Sequence, residues 1–201
     1  MRVIVVGATG TIGSQVAHLL ARDHEVVGVG HERGDLQVDI GSKEAIRHLF
    51  ETVGTFDALV SAAGEARFAS FDELSDEDYM LGLRHKLMGQ VNLVRVGRKY
   101  VNGPGSFTLT SGILSRQPMP GSASISMVNA AVEGFVRAAA LELGPDVRVN
   151  AVSPVWVSET LEALHMDPSE GMPAGAVAYA YRESVEGSRS GEVLDVRDFA
   201  P

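Results

Sequence analysis

The sequence predicts an α/β domain in which helices cover both faces of one parallel sheet. Short apolar segments alternate with amphipathic segments along the 201 residues, which is typical of repeated strand–helix–strand units. No internal repeat, low-complexity tract or linker interrupts this alternation. The chain length is within the range of one domain. We therefore expect a single domain over residues 1–201.

Six segments are expected to form the strands, because each is short, apolar and bounded by turn residues. In chain order they are residues 2–6, 25–29, 58–61, 106–109, 148–152 and 192–196. Three segments between them carry apolar residues at helical spacing, which predicts amphipathic helices that pack on the sheet. Their stripes are Ile12, Val16, Leu19 and Leu20; Ile46, Leu49, Phe50 and Val53; and Leu83, Leu87, Val91 and Val94. Ser75, with Asp78 three residues later, indicates a capping box at the start of a further helix.

The longest apolar helix is predicted from about residue 126 to residue 143. Alanines surround its apolar stripe and permit another surface to approach closely. Two interpretations remain open. The small residues either serve tight packing on the sheet, or they also provide a subunit contact on the outer face, which would make the protein a homo-oligomer, as a dimer or tetramer.

The overall composition excludes several classes of function. A net charge of -9 repels nucleic acid and anionic lipid, and no basic cluster stands out in the sequence, so we expect neither partner. No apolar run approaches the roughly 20 residues of a membrane span, and the first strand begins at Arg2 without a leader, which favours a cytoplasmic location. The chain has no cysteine, and its six histidines show no metal-ligand spacing, so we expect no metal.

A glycine-rich turn follows the first strand and leads directly into the first helix. A phosphate group binds there when bare backbone N–H groups can approach it at a helix N-terminus. Gly7 suits the tight turn, Gly10 leaves room for a pyrophosphate, and Gly13 lets helix and strand touch. A tight turn alone is the alternative interpretation, but the strand–turn–helix context favours a dinucleotide. The predicted contacts are Gly7, Thr9, Gly10, Thr11, Ile12 and Gly13.

The end of the second strand bears on which dinucleotide is bound. A site that prefers NAD usually has a carboxylate at this point to bind the ribose 2'-hydroxyl, and here the position is Gly30. The missing side chain leaves room for a phosphate, which His31 and Arg33 could contact. Glu32 argues against this, and the three residues equally suit a solvated loop. We expect NADP(H) to be preferred over NAD(H).

With these features and four further motifs, the chain resembles the short-chain dehydrogenase/reductase family. The motifs occur in the family's order and extend from Met1 to about Val196. They are the glycine turn, Asp39-Ile40, Ser61-Ala62-Ala63-Gly64, Thr110-Ser111-Gly112 and the segment RVNAVSP over residues 148–154. The resemblance implies a three-layer Rossmann-type fold, a doubly wound parallel sheet in a single domain.

The resemblance also implies roles for individual residues. Asp39 would accept a hydrogen bond from the adenine amino group, and Ile40 would pack on the ring. The cofactor ribose would lie against Ala62, Ala63 and Gly64, and the nicotinamide against Pro154 and Val157. Ser111 matches the family's serine that orients the substrate, and its hydroxyl would polarise a carbonyl oxygen.

The chain departs from the family where a Tyr donates the proton and a Lys four residues later lowers its pKa. Ile125 stands at the Tyr position and Asn129 at the Lys position. Ile cannot transfer a proton, whereas Asn129 can still bind a ribose hydroxyl. Cofactor binding is therefore expected to survive this change better than acid catalysis, which is worth roughly 10² to 10⁴ in rate.

A third departure offers a substitute acid. Lys86 stands where the family has the Asn of its catalytic tetrad. We expect Lys86 to stabilise the alkoxide or donate its proton, directly, through water, or with Ser111 or Ser126 as a relay. The alternative is an exposed or salt-bridged lysine without a role in the reaction. Three tyrosines are further candidate acids, which nothing in the sequence places near Ser111: Tyr79, Tyr179 and Tyr181.

The substrate side is expected to be small or open, because residues 158–173 are brief compared with the family's substrate loop. Five apolar side chains either form its cover or serve ordinary packing under a loop: Trp156, Leu161, Leu164, Met166 and Met172. The leading hypothesis is an NADP(H)-dependent oxidoreductase acting on a small carbonyl or alcohol. A nucleotide-binding sensor or structural protein without turnover is the alternative, and an extended-type epimerase is a weaker third.

Overall fold

The computed structural model describes all residues, 1–201, and contains one seven-stranded parallel sheet in the order β3-β2-β1-β4-β5-β6-β7. The sequence neighbours β1 and β2 are adjacent, whereas β4 lies on the opposite side of β1. The direction of winding therefore reverses between β1 and β4, which opens a crevice at the carboxyl ends of these strands. The strands are β1 (Arg2–Val6), β2 (Glu25–Gly30), β3 (Leu36–Gln37), β4 (Phe56–Ser61), β5 (Val101–Thr110), β6 (Val147–Ser153) and β7 (Val193–Asp195).

Seven α-helices and several short turns of other helix types connect the strands. A π-helical segment, Leu83–Gly89, joins α3 to α4 without a break, and 3₁₀ turns occur at Ile113–Ser115, Pro168–Glu170 and Val196–Asp198. The α-helices are α1 (Thr11–Leu20), α2 (Lys43–Val53), α3 (Asp76–Gly82), α4 (Gln90–Gly97), α5 (Ala123–Leu143), α6 (Ser158–Ala163) and α7 (Ala174–Glu186).

The core is divided into two layers by the sheet. One apolar cluster lies between the sheet and helices α2, α4 and α5, and the other lies between the sheet and helices α1 and α7. Burial on both faces explains why the strands read as continuous apolar runs and not as alternating patterns. The predicted three-layer, doubly wound parallel fold in a single domain is therefore confirmed.

The element predictions were confirmed in type, with small differences in their bounds. All six predicted strands are present, and α5 begins three residues before the predicted start at residue 126. The sequence did not indicate β3, because its two residues are too short to show a pattern. The capping box is confirmed: Ser75 Oγ accepts from the N–H of Asp78 over 3.2 Å, and the Asp78 carboxylate accepts from the N–H of Ser75 over 3.0 Å.

The sequence also predicted no basic cluster, and the structure corrects this. Five cations from α2 and from the end of α4 line one groove with Glu51 and Glu142. They are Lys43, Arg47, Arg95, Arg98 and Lys99. The two groups lie about 50 residues apart in the chain, and the packing of α2 against α4 brings them together. No helix is long and apolar enough to cross a membrane, and no group of three or more His, Cys, Asp or Glu residues could hold a metal ion.

Candidate active site and cofactor cleft

Two cavities adjoin at the carboxyl ends of the central strands. The first, which we call the glycine-turn cleft, has a volume of about 380 Å³. It includes nine of the predicted cofactor contacts, together with Glu65 and His85, which the sequence did not single out. The predicted contacts in its lining are Gly7, Thr9, Gly10, His31, Asp39, Ile40, Ala62, Ala63 and Gly64.

The three glycines of the turn have distinct steric environments. Gly7 has φ +88°, and a Cβ there would lie 2.7 Å from the carbonyl oxygen of Ala62. A Cβ on Gly13 would lie 2.0 Å from the carbonyl oxygen of Gly7, so α1 touches the turn directly. A Cβ on Gly10 would meet only that same oxygen, at 3.4 Å. The space in front of Gly10 is therefore open, as the sequence predicted for a phosphate.

The amides available to a phosphate lie further along the turn than its first residues. The N–H groups of Gly7 and Ala8 both donate to the carbonyl of Val29, over 2.8 and 3.1 Å. No acceptor pairs with the N–H groups in the first turn of α1, those of Thr11, Ile12 and Gly13, and Gly10 provides no side-chain cap. These three amides, at the positive end of the helix dipole, form the anion-binding geometry.

The structure gives a different reason for Gly30 from the one expected. A Cβ there would lie 1.9 Å from the carbonyl oxygen of Arg33 and 2.9 Å from Thr9 Oγ1. The loop after β2 folds back onto Gly30, and the backbone of this loop leaves no room for a side chain there. The glycine is therefore not explained by an empty space for a phosphate. His31 lines the cleft, whereas Arg33 does not line it and its exposed side chain has no ion pair.

The predicted adenine side of the cleft is formed by the residues after β3. Asp39 Oδ1 accepts from the N–H of Gly41 over 2.8 Å and lies 3.9 Å from His85 Nδ1. Ile40 is buried, and its side chain packs against Gly89 at the end of the π-helical segment. His85 thus closes this side of the cleft from the segment that also carries Lys86.

The second cavity, which we call the Lys86 cavity, has a volume of about 230 Å³ and contains all the predicted residues of the reaction centre. Half of its 14 lining residues are hydrophobic. They are Ile12, Lys86, Thr110, Ser111, Gly112, Ile113, Leu114, Ile125, Asn129, Pro154, Val155, Trp156, Val157 and Thr160. The chain therefore brings together residues from five separate segments, as the motif order implied.

Backbone packing determines the position of Lys86. Gly64 has φ +138°, and a Cβ there would lie 3.0 Å from both Cα and Cγ of Lys86. The lysine side chain therefore occupies the space that a side chain at position 64 would need. Gln90 is fully buried, and its Nε2 donates to the carbonyls of Lys86 and Thr110, each over 2.9 Å. Its Oε1 accepts from the N–H of Thr110 over 2.7 Å. Gln90 thus ties the π-helical segment to the end of β5, beside Ser111.

The ammonium group of Lys86 has no partner. No carboxylate lies within ion-pair distance of it. The residue as a whole is half-buried. Burial lowers the pKa of this ammonium group to about 8, because a charge in apolar surroundings loses its hydration. Lys86 is therefore neither a fully exposed lysine nor one held by a structural salt bridge.

Ser111 is engaged by a carboxylate that the sequence analysis missed. Its Oγ donates to Glu133 Oε1 over 3.1 Å, and Ser115 Oγ donates to the same oxygen over 2.5 Å. Arg137 pairs with the other oxygen over 3.4 Å. Both Ser111 and Glu133 are buried. The spacing Ile125, Asn129, Glu133 places all three on one face of α5, which is the signal that could have identified Glu133.

Asn129 has an unsatisfied polar atom at the cavity wall. The residue is 2% exposed, and its Oδ1 is buried without a hydrogen-bond partner. Its Nδ2 lies 2.8 Å from where a Cβ on Gly112 would be. A buried orphan acceptor of this kind is costly unless a ligand or water pairs with it. Ile125 lines the same wall and contributes only apolar surface.

The other candidate acids lie elsewhere. Tyr181 is fully buried on the opposite face of the sheet, where its hydroxyl bonds Thr110 Oγ1 over 2.7 Å and burial raises its pKa. Tyr179 lies in a surface groove between α1 and α7, and Tyr79 is on α3. Ser126, considered as a relay, bonds Ser122 over 3.0 Å and does not line the cavity. None of these four side chains lines the Lys86 cavity.

Of the five residues proposed as an apolar cover, only Trp156 lines the cavity. Its ring meets that of Phe68 edge-to-face at 6.1 Å. Leu161 is core, Leu164 and Met166 are exposed, and Met172 packs partly on the α1–α7 side of the core. Ordinary packing or surface exposure, and not a cover, therefore describes the other four side chains.

The parallel sheet with a glycine turn at its switch point, beside a second cavity that contains a serine and a lysine, defines a nucleotide-dependent oxidoreductase type of site. A family model described as enoyl-(acyl carrier protein) reductase matches residues 2–186. The chain belongs to the short-chain dehydrogenase/reductase family, as its motifs implied.

Individual relatives agree with this assignment. Carbonyl reductase [NADPH] 2 from Sus scrofa is 30% identical over 177 residues, which cover 78% of this chain and 72% of that protein. The crystal structure of the protein lin1944 from Listeria innocua is 39% identical, with a TM-score of 0.93 over 98% of this chain and 99% of that one. A small-chain dehydrogenase in complex with NADPH is 28% identical, with a TM-score of 0.87 over 97% of this chain and 95% of that one.

Proposed function

We propose that the protein is an NADP(H)-dependent oxidoreductase with an altered active site, acting on a small carbonyl or alcohol substrate. The observation that carries this proposal is that an unpaired Lys86 and Ser111 line one cavity of about 230 Å³, adjoining the glycine-turn cleft. In this site Lys86 replaces the acid that Ile125 cannot supply.

The residues of the cleft fit a dinucleotide. The open space at Gly10 and the three unpaired amides at the start of α1 suit a pyrophosphate. Asn129 Oδ1 lacks a partner and would accept from a ribose hydroxyl. His31 in the cleft would contact a 2'-phosphate, and a relative named as NADPH-dependent supports the same choice. When bound, the cofactor supplies the hydride.

The protein's own residues handle the substrate oxygen. The Lys86 ammonium stabilises the negative charge that develops on this oxygen and donates the proton that completes the alcohol. Its pKa of about 8 suits this task, because the group is mostly protonated at neutral pH yet gives up its proton more readily than an exposed lysine.

The contact with Glu133 changes the role expected for Ser111. A hydroxyl has one proton, and in this structure Ser111 donates it to Glu133, so its oxygen can only accept on the cavity side. Ser111 therefore offers an acceptor to a substrate hydroxyl. Polarising a carbonyl would require its proton to leave Glu133.

Two measurements test the proposal. The first titrates NADPH and NADH into the protein by fluorescence, and we expect tighter binding of NADPH. The second follows NADPH consumption with a panel of ketones, aldehydes and quinones, and we expect turnover that Lys86→Met reduces by about 10² to 10⁴, the range for loss of a general acid. Unchanged turnover in this variant would remove Lys86 from the mechanism.

A protein that binds NADP(H) without turnover, as a sensor or a structural partner, is the second candidate function. Ile125 and Asn129 favour it, because together they remove the proton donor and the cation of the family's site. Tight NADPH binding without turnover on any substrate of the panel would support this function. We also infer a cytoplasmic homo-oligomer that uses the outer face of α5, where Leu141 is 85% exposed, and sedimentation tests the oligomeric state.

A further inference from the structure

The Lys86 cavity contains one formal charge, and this charge is positive. Lys86 is the only residue with an ionisable side chain among the 14 that line it. Its ammonium group makes no hydrogen bond and no ion pair. The carboxylate of Glu133 does not line the cavity, and its oxygens are already engaged by Ser111, Ser115 and Arg137. The cavity therefore presents a cation that nothing in the protein neutralises.

The lysine is also held in place before any ligand arrives. Its stem lies against Gly64, its carbonyl is bonded by the buried amide of Gln90, and it belongs to a continuous run of helix from α3 to α4. The Cα and Cγ of Lys86 are thus packed against Gly64, which places the start of the side chain at the cavity wall. At neutral pH, below its pKa of about 8, the group is mostly in its charged form.

An unpaired charge in apolar surroundings selects its ligand by charge. Burying an isolated ammonium is unfavourable unless an anion or hydrogen-bond acceptors pair with it. An anionic ligand removes this penalty, whereas a neutral ligand adds to it by displacing water. Apolar side chains such as Ile113, Leu114 and Ile125 form the rest of the wall and would hold a short hydrocarbon part.

The volume limits the size of the ligand. At about 230 Å³ the cavity is below the roughly 300–1,000 Å³ of pockets for drug-sized molecules, and the reactive end of a dinucleotide shares this space. The part of the substrate that lies inside the cavity is therefore small.

We propose that the Lys86 cavity takes a small carbonyl compound that carries a carboxylate next to the reducible carbonyl, with the carboxylate paired to Lys86. This inference rests on the proposed reduction and names its substrate class. In a 2-oxo acid, one carboxylate oxygen and the ketone oxygen lie on neighbouring carbons, so a single ammonium group can contact both.

The chemistry balances with the groups already named. The carbonyl carbon receives a hydride from NADPH, and the electron pair of the C=O π bond moves to the oxygen. The Lys86 ammonium gives a proton to that oxygen and later regains one from solvent. The products are a 2-hydroxy acid and NADP⁺, and the carboxylate remains unchanged throughout.

The test compares 2-oxobutanoate with its methyl ester, which has the same carbonyl but no charge. The readout is the ratio of kcat/KM for the acid to that for the ester. We expect a ratio of about 100 or more in the native protein, the size typical of one desolvated charge pair. Lys86→Met should bring the ratio close to 1, and Lys86→Arg should keep it high while lowering kcat for both compounds. Lys99→Met, which removes an exposed lysine far from the cavity, is the matched control and should change neither rate.

A binding measurement separates this inference from the proposed function. Butanoate has no reducible carbonyl, and we expect calorimetry to detect its binding to the NADPH-saturated protein and to show its loss in Lys86→Met. Good turnover of the ester, with a ratio of 1 or below in the native protein, would overturn the substrate class and leave the proposed function intact. Lysine-dependent butanoate binding with no turnover of either compound would instead overturn the proposed reduction and leave the anion site standing.

Discussion

The hydroxyl of Ser111 donates to the carboxylate of Glu133 over 3.1 Å, and this bond directs the only proton of the serine away from the Lys86 cavity. Glu133 is 4% exposed, so its charge acts on Ser111 with little screening by water. The serine consequently offers an acceptor to the substrate side of the site.

Replacing Glu133 with Gln tests this arrangement. The amide of Gln can donate to Ser111 as well as accept from it, so the serine loses its single orientation, and we expect kcat to fall about tenfold, within the range of a misplaced catalytic group. The dissociation constant for NADPH should not change. The control is Glu142→Gln, at an exposed position on the same helix. If Glu133→Gln weakened NADPH binding by the same factor as it lowered kcat, the role of Glu133 would be purely structural.

The rate of reduction should depend on pH through Lys86. Burial lowers the pKa of its ammonium group to about 8, and no other ionisable side chain lines the cavity. The proton donor is present below this pH and is lost above it. We therefore expect kcat/KM, which reports the ionisation of the free enzyme, to decrease about tenfold per pH unit above pH 8. Steady-state rates between pH 6 and pH 10 check this, and a flat profile up to pH 10 would contradict it.

Lys86 should also make the folded state less stable at neutral pH. Its pKa is about 8 in the folded protein against 10.5 for an ordinary lysine, so between these values the unfolded chain holds a proton that the folded chain has released. The free energy of unfolding therefore rises as the pH increases from 8 to 10.5. Below pH 8 the destabilisation by the charged Lys86 is present in full. Lys86→Met should raise the free energy of unfolding at pH 7 by about 1–3 kcal/mol. Urea denaturation at pH 7 and pH 10 measures this gain, which should shrink at the higher pH.

Two alanine substitutions should separate the roles of the glycines in the turn. Gly10 has φ -87° and open space around it, so Gly10→Ala should fold normally and weaken NADPH binding at least about tenfold by obstructing the phosphate. Gly13→Ala forces a Cβ onto the Gly7 carbonyl and should lower the free energy of unfolding by about 1–3 kcal/mol or more. Thermal melts and NADPH titrations of both variants give the comparison. Equal NADPH affinity in native and Gly10→Ala proteins would place the phosphate elsewhere.

Restoring the family's residues at two positions should increase acid catalysis. In the variant Ile125→Tyr with Asn129→Lys, both new side chains face the Lys86 cavity, because both native ones line it. We expect turnover of neutral ketones to rise about tenfold or more, as a second proton donor becomes available. Activity that appears only in this variant, on any compound, would mean that the native site lacks a working acid and would favour the sensor.

The fold could be predicted from the sequence because its signals are local and repeated. The apolar runs of β1 and β4 and the stripe Ile46, Leu49, Phe50 and Val53 each determine an element within about ten residues. Strand β3 has only two residues, so no periodicity could reveal it. The basic groove was missed for the opposite reason, since Arg47 and Arg98 become neighbours only through tertiary packing.

The site could be predicted in part, where a residue follows a strand directly. Ser111 follows β5, and Gly64 follows β4 within a few residues, so the parallel sheet brings them to the same edge. The contact between Ser111 and Glu133 and the bonds of Gln90 could not be derived, because they depend on side-chain directions. The reason for Gly30 also depended on the path of the following loop, which the sequence does not reveal.

The π-helical segment Leu83–Gly89 determines which of its side chains lines the Lys86 cavity. An α-helix turns by about 100° per residue, so a regular coil through this stretch would point a different side chain at the reaction centre. Loss of a single residue there would swing Lys86 off the wall and replace it with a neighbour, with no substitution at all. Which side chain of this segment lines the Lys86 cavity is thus set as much by the number of residues in one turn of helix as by their type.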